Sequence, residues 1–265
     1  MGMSFGSVLR RGVLAGVSAG LAAAAVIWLV VEPVIRRALA VEDARSLHGG
    51  QSAPLVLHAH GDGEPLVSRA AQVVGGAVTS VLVGIAVGVI FAVVFARLHE
   101  RLPGRGDFGR SMVLAAVAFS AVSLLPAVKI PSNPPAVGDP ATVGRRTLLY
   151  AVVLLLGVAI ALVVPMLDRW IAGRGTAAPT RWALDTVAVV VLVALVLLLV
   201  PGSPDTVPAD VPAALLWDFR LASLAQLAVM WLTLGLVFGL LMERAAAPRR
   251  SGDVEQAGPF AAVSA

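Results

Sequence analysis

The sequence predicts an all-α, polytopic membrane helix bundle with six transmembrane helices and both termini cytoplasmic, on three observations. Only 14% of residues are charged, 58% are hydrophobic, and the mean hydropathy is +0.89. The apolar residues gather in six runs, near 8–31, 70–98, 111–128, 148–167, 183–200 and 213–242. Each approaches the roughly 20 residues a helix needs to cross a hydrocarbon core. Lys and Arg are shared unevenly between alternate loops, twelve on the side of the termini and eight on the other. Positive loops stay inside, so the bias places both termini in the cytoplasm. Residues 1–250 then make one transmembrane helical domain, and 251–265 a polar, disordered C-terminal tail.

Run one follows Arg10 and Arg11. Ala38-Leu39-Ala40 resembles a signal cleavage site, but the apolar stretch Gly12–Val31 exceeds the roughly 7–15 residues of a signal core. It reads as a membrane helix ended by Glu32-Pro33. Small residues mark where helices meet in lipid, which supplies no hydrophobic drive of its own. Run one carries Gly12, Gly16 and Gly20; run two carries Gly76, Ser80, Gly84 and Gly88; run six carries Gly235 and Gly239. These faces predict that helices one, two and six pack closely against one another or against a partner helix.

Outer loop 32–69 holds three of the four histidines. Its densest stretch is His58-Ala-His60-Gly-Asp62-Gly-Glu64. In an extended chain the four polar side chains project to one side. Imidazole and carboxylate without thiolate suit a divalent first-row ion such as cobalt, nickel or zinc. Glu32 and Glu42 lie upstream, where they would pass an ion toward the bundle. The same stretch also reads as an ordinary solvated loop. The chain has no cysteine, which excludes disulfides and thiolate metal sites.

The second outer loop, 129–147, is stiffened by Pro131, Pro134, Pro135 and Pro140. Asp139-Pro140 is an N-cap followed by a proline at the first helical position, opening run four, which has no charge from Leu148 to Leu167. Asn133 reads as a turn residue. In run six Arg220, Ser223 and Gln226 share one helical face, with Trp217 as interface anchor and Trp231 as packing residue. One internal echo exists: LVVEPVIRRALA after run one resembles ALVVPMLDRWIA after run four, aligning Pro33 with Pro165 and Arg37 with Arg169. A three-plus-three repeat would be inverted in the membrane, although chance also accounts for a dozen matched residues.

Walker, dinucleotide, HExxH and GxSxG signatures are absent, so no enzyme is expected. The basic residues flank spans and do not point to nucleic acid. The blocks RRGVLAGVSAGLAAA, EPVIRRALAVEDA, EPLVSRAAQVVGG, NPPAVGDPATVGRRTLLY and LLWDFRLASLAQLAVMW together resemble the CbtA family of predicted cobalt transporter subunits. The most specific of them is NPPAVGDPxTxGxRT. The resemblance implies cobalt uptake across the bacterial cytoplasmic (inner) membrane, feeding cobalamin synthesis. It implies Co²⁺ as cargo with no permanently bound cofactor, and a small single-span, His-rich companion of the CbtB type. Metal candidates are His58, His60, Asp62, Glu64, Glu32 and Glu42. The rival readings are a non-transporting membrane scaffold or metal-sensing partner, and an intramembrane lipid enzyme using Arg220 and Asp139.

Overall fold

The computed structural model describes residues 4–48, 69–135 and 137–246. Among them the chain forms helices and connecting loops and no strand. The helices are α1 (Phe5–Val26), α2 (Glu32–His48), α3 (Arg69–Leu98), α4 (Gly106–Phe119), α5 (Leu125–Lys129), α6 (Val143–Ala172), α7 (Ala178–Leu199) and α8 (Ala213–Ala246). Among the described residues six spans are long and apolar enough to cross a membrane, as the six runs predicted. Their ends lie within a few residues of the runs, except that the first continues to Arg45 and the fourth begins at Pro140.

Run one does not stop at Glu32-Pro33. A π-helical turn, Ile27–Val31, carries α1 directly into α2, and the helical path continues to His48. The Glu32 N–H bonds Ile27 O, five residues back. Proline lacks an N–H and crowds the preceding turn of an α-helix. Widening the ladder just before the ring accommodates it without ending the helix. The same device recurs in span three. There the π turn Ser120–Leu124 precedes Leu125-Pro126, and Leu125 N–H bonds Ser120 O.

The spans stand in a row, each packed chiefly on its neighbours, in the order α3, α1, α8, α4–α5, α6, α7. The α1–α3 seam is built of backbone. A Cβ at Gly16 would strike Gly84 O, and one at Gly88 would strike Gly12 O. At Gly20 it would lie 2.6 Å from Val81 Cα. The expected contact among helices one, two and six holds through α1, which touches both α3 and α8. Two details differ. Gly76 meets nothing within 4 Å, and Gly235 and Gly239 face α4, against Ala115 and Phe108. The stripe on α8 therefore serves span three, because α1 already covers the other flank of α8.

Phe91, Phe95, Leu234, Phe238 and Met242 fill the space between α3, α1 and α8. Phe238 stands edge-on to Phe91 and Phe95, with ring centroids 5.3 and 5.0 Å apart. Such pairs contribute about 0.5–1.5 kcal/mol each beyond their burial. A smaller apolar cluster, Leu125, Ile130, Val153 and Val196, joins α5, α6 and α7.

Candidate functional site

The loops at the Lys129, Val200 and Pro212 ends of the spans share one end of the bundle, the expected outer one. There the polar residues converge on Asp205. Its carboxylate is 1% exposed and accepts from Arg146 Nη1 at 2.6 Å, Thr142 Oγ1 at 2.6 Å and Asn133 Nδ2 at 2.9 Å. Ser203 Oγ lies 3.3 Å away. The amide oxygen of Asn133 in turn accepts from Arg220 Nη2 at 3.2 Å. Burial alone would raise the Asp205 pKa. The Thr142 and Arg146 hydrogen bonds and the Arg146 charge outweigh it and hold the carboxyl below its usual range.

The local sequence explains how these donors arrive together. Pro134 is fully buried and fixes the loop. Gly138, at φ +122°, turns the chain in a conformation that L side chains rarely adopt. A Cβ there would sit 3.2 Å from Arg146 Nη1. Asp139 caps the 3-10 turn Pro140–Thr142 by accepting from Ala141 N–H at 2.8 Å, as expected, and the turn runs into α6. Lys129 Nζ reaches Leu197 O at 2.7 Å and caps the end of α7, where a cation is favoured. Asn133 is thus a bridge between Asp205 and Arg220 and more than a turn residue.

Asp205 itself escaped the sequence reading. PGSPDT reads as a plain loop, and its partners are 59–72 residues distant. One signal was present. Loop 201–212 holds two acids and no Lys or Arg, facing a neighbouring loop that carries Lys129, Arg145 and Arg146.

Glu32 is 4% exposed and pairs with Arg36 Nε at 3.0 Å, one turn along. Glu42 is half-buried on the same helix. The two lie ten residues apart, about 15 Å along the axis, so they do not form one ligand set. α2 is clamped over the start of α8. Val34 and Ala38 pack on Leu215, Arg37 pairs with Asp218 at 3.0 Å, and Arg45 pairs with Asp210 at 2.7 Å. The Arg45 hydrogen bond is the chief reason that the Asp210 carboxyl titrates below its usual range. His58, His60, Asp62 and Glu64 lie outside the described residues. Among the described residues no three His, Asp or Glu side chains gather as a metal group.

Two hydrogen bonds tie polar groups inside the bundle, while Asp185 Oδ1 on α7 is buried with no hydrogen-bond partner among the described residues. Ser111 Oγ donates to Gly235 O at 2.7 Å, and Trp231 Nε1 donates to Ser123 Oγ at 2.9 Å in the second π turn. Trp231 is buried as expected of a packing residue, and Trp217 is exposed as expected of an interface anchor. At the other end of the bundle His99 Nε2 lies 2.6 Å from Asp107, and Glu243 accepts from the Phe108 N–H at the start of α4.

Residues 5–243, nearly the whole chain, match the family described as probable cobalt transporter subunit (CbtA). The chain belongs to the CbtA family. No curated protein and no solved structure matches it. CbtA is a family of transporter subunits rather than enzymes, and a transporter subunit implies partner subunits. With six membrane-length helices, this CbtA chain is a multi-pass membrane protein. The block NPPAVGDPATVGRRT, which carried the resemblance most specifically, supplies Asn133, Gly138, Thr142 and Arg146 to the Asp205 cluster. The motif therefore has a structural role, fastening the adjoining ends of spans three and four to the loop before α8.

Proposed function

We propose that this chain is the membrane subunit of a cobalt uptake system in the bacterial cytoplasmic membrane, carrying Co²⁺ inward to supply cobalamin synthesis. The membership of residues 5–243 in a cobalt transporter subunit family carries the reading. Both termini face the cytoplasm, so loop 32–69 and the Asp205 end face outward. His58, His60, Asp62 and Glu64 load the ion, and Glu32 and Glu42 receive it along α2. A single-span, His-rich companion delivers or gates it. The membrane potential gives roughly 2.3 kcal/mol per charge per 100 mV, about 4.6 kcal/mol for a divalent ion, enough for more than about a thousandfold accumulation.

The test is uptake of radioactive Co²⁺ into vesicles holding the full chain, with and without the companion. Uptake that follows an inside-negative potential is expected. No uptake in either preparation would sink the reading. Neutral imidazole binds metal, and its unperturbed pKa is about 6.5. Capture should therefore weaken as external pH falls through roughly 6. The double change His58→Ala and His60→Ala should raise the half-saturating concentration, whereas Glu32→Gln should lower the maximal rate. For topology, Ala40→Cys should react with an impermeant maleimide from outside and Arg105→Cys should not; the reverse pattern inverts the whole scheme.

A second reading is a non-transporting scaffold or metal-sensing partner. It predicts Co²⁺ binding by the full chain without flux.

A further inference from the structure

The helix row has a symmetry that its chain order hides. Number the spans one to six: α1, α3, α4–α5, α6, α7, α8. The packing order becomes two, one, six, three, four, five. Exchanging each span for the one three places on turns that row into its own reverse. Thus the α1–α3 contact maps onto α6–α7, and α1–α8 maps onto α6 against α4–α5. The α4–α8 contact maps onto itself. Each of these pairs is a packed pair in the structure.

The sequence echo falls on the same correspondence. LVVEPVIRRALA at the α1–α2 junction and ALVVPMLDRWIA in α6 belong to spans one and four, the pair this exchange requires. Both prolines sit inside unbroken helical paths, and Arg37 and Arg169 each follow one turn later. The two observations are independent, since one is packing order and the other is residue identity.

Each half has three spans, so the halves enter the membrane from opposite sides. Their two-fold axis lies in the membrane plane, between α4 and α8. Yet the halves are held very differently. α1–α3 is locked by backbone contact and by the α2 clamp on α8. α7 has no glycine, and α6–α7 meets along an apolar groove lined by Leu156, Ile160, Val163, Leu192 and Val196. α6 touches the rest closely at Gly157, where a Cβ would strike Ala121 O in the π turn of span three. Its outer end is fastened by Asp205 with Arg146 and Thr142, and by Lys129 on Leu197 O. At its other end the Arg181–Asp168 pair, 3.2 Å apart, lies within the hairpin itself.

We propose that the chain is an inverted repeat of two three-helix units, and that the α6–α7 hairpin rocks against α4 about the Gly157–Ala121 contact, with the Asp205 cluster as its outer latch. Rotation about an in-plane axis opens one end of the hairpin as it closes the other. Such paired motion is how inverted repeats expose a site to alternate sides. The device stands whichever ion the chain carries.

The cysteine-free sequence suits a spin-label test on the full chain in lipid nanodiscs. One pair, A40C with R145C, spans the outer end; a second, R101C with G173C, spans the inner end. All four positions are exposed. Asp205→Asn should lengthen the outer distance by roughly 5 Å, about one helical turn, and shorten the inner distance. Thr142→Val removes one hydroxyl donor. It should shift both populations in the same directions by less, and it carries the test if the Asp205 variant does not fold. Unchanged distances in folded variants would overturn the latch. Changes of the same sign at both ends would mean detachment of the hairpin, and would overturn the rocking.

Discussion

The α1–α3 seam and the α6–α7 hairpin are both pairs of antiparallel spans in one chain, and they solve the same problem by opposite means. Lipid is as apolar as leucine, so helices gain from association only through close packing and polar contact. The first pair uses packing: Gly12, Gly16, Gly20, Gly84 and Gly88 bring main chain against main chain. The second uses polar pins. Asp205, Lys129 and the Asp168–Arg181 pair fasten its ends, while its middle offers apolar side chains to lipid. Val187, Val190, Leu195 and Leu198 on α7 are all exposed. A seam of backbone contacts resists displacement along its whole length. Pins at the ends release or hold, and they respond to single substitutions.

The largest expected effect breaks the first pair. Gly16→Leu places a side chain where Gly84 O already sits, and neither backbone yields cheaply. Overpacking costs about 1–3 kcal/mol where side chains can adjust; against main chain the cost is at the top of that range or beyond. Loss of folded protein in detergent is the expected outcome, read by size-exclusion chromatography. Val190→Leu on the lipid face of α7 should leave the elution profile unchanged. Equal tolerance of both changes would mean the two pairs are held alike.

That contrast also shows what the residues disclosed beforehand. The run-one and run-two stripes pointed at each other because lipid leaves a small-residue face few other uses. Gly235 and Gly239 named a contact but not its partner, since a stripe on α8 fits α1 and α4 equally well until the row is known. Glu32-Pro33 read as a helix end because the proline rule assumes an α-helical ladder; the π turn before it removes the clash. Asp205 is the larger omission. Its role depends on loops 130–142 and 200–212 lying side by side, and residue order alone does not say that spans three, four and six share an end in this arrangement.

Removing the Asp205 pin should rank second. Deleting one member of a buried ion pair costs about 3–5 kcal/mol. Arg146 is about a third exposed and regains water, so the low end, about 3 kcal/mol, is expected for Asp205→Ala in chemical denaturation. The pH dependence has a definite sign. A carboxyl held below its unfolded value, about 3.9, contributes fully above that value. The contribution is lost as pH falls through the lower folded value. Between pH 5 and 8 the latch should therefore be constant. The loss of Co²⁺ capture proposed near pH 6 would then not come from Asp205, and an Asp205→Ala variant should show the same loss.

The smallest effect sharpens the comparison most. Lys129, the one lysine in the chain, donates to Leu197 O in the last turn of α7. A cation there satisfies a carbonyl that the helix leaves unpaired and meets the negative end of its dipole. Lys129→Met keeps the length and apolar stem but removes the ammonium, at a cost of about 1 kcal/mol. Global stability should fall only slightly, by roughly 2–4 °C in melting temperature. Hydrogen exchange should locate the loss. Amides of residues 196–200 should exchange faster, while those of 80–92 in the α1–α3 seam stay protected. Faster exchange at both places would mean that the hairpin and the seam form one cooperative unit, and that the polar pins hold the whole bundle.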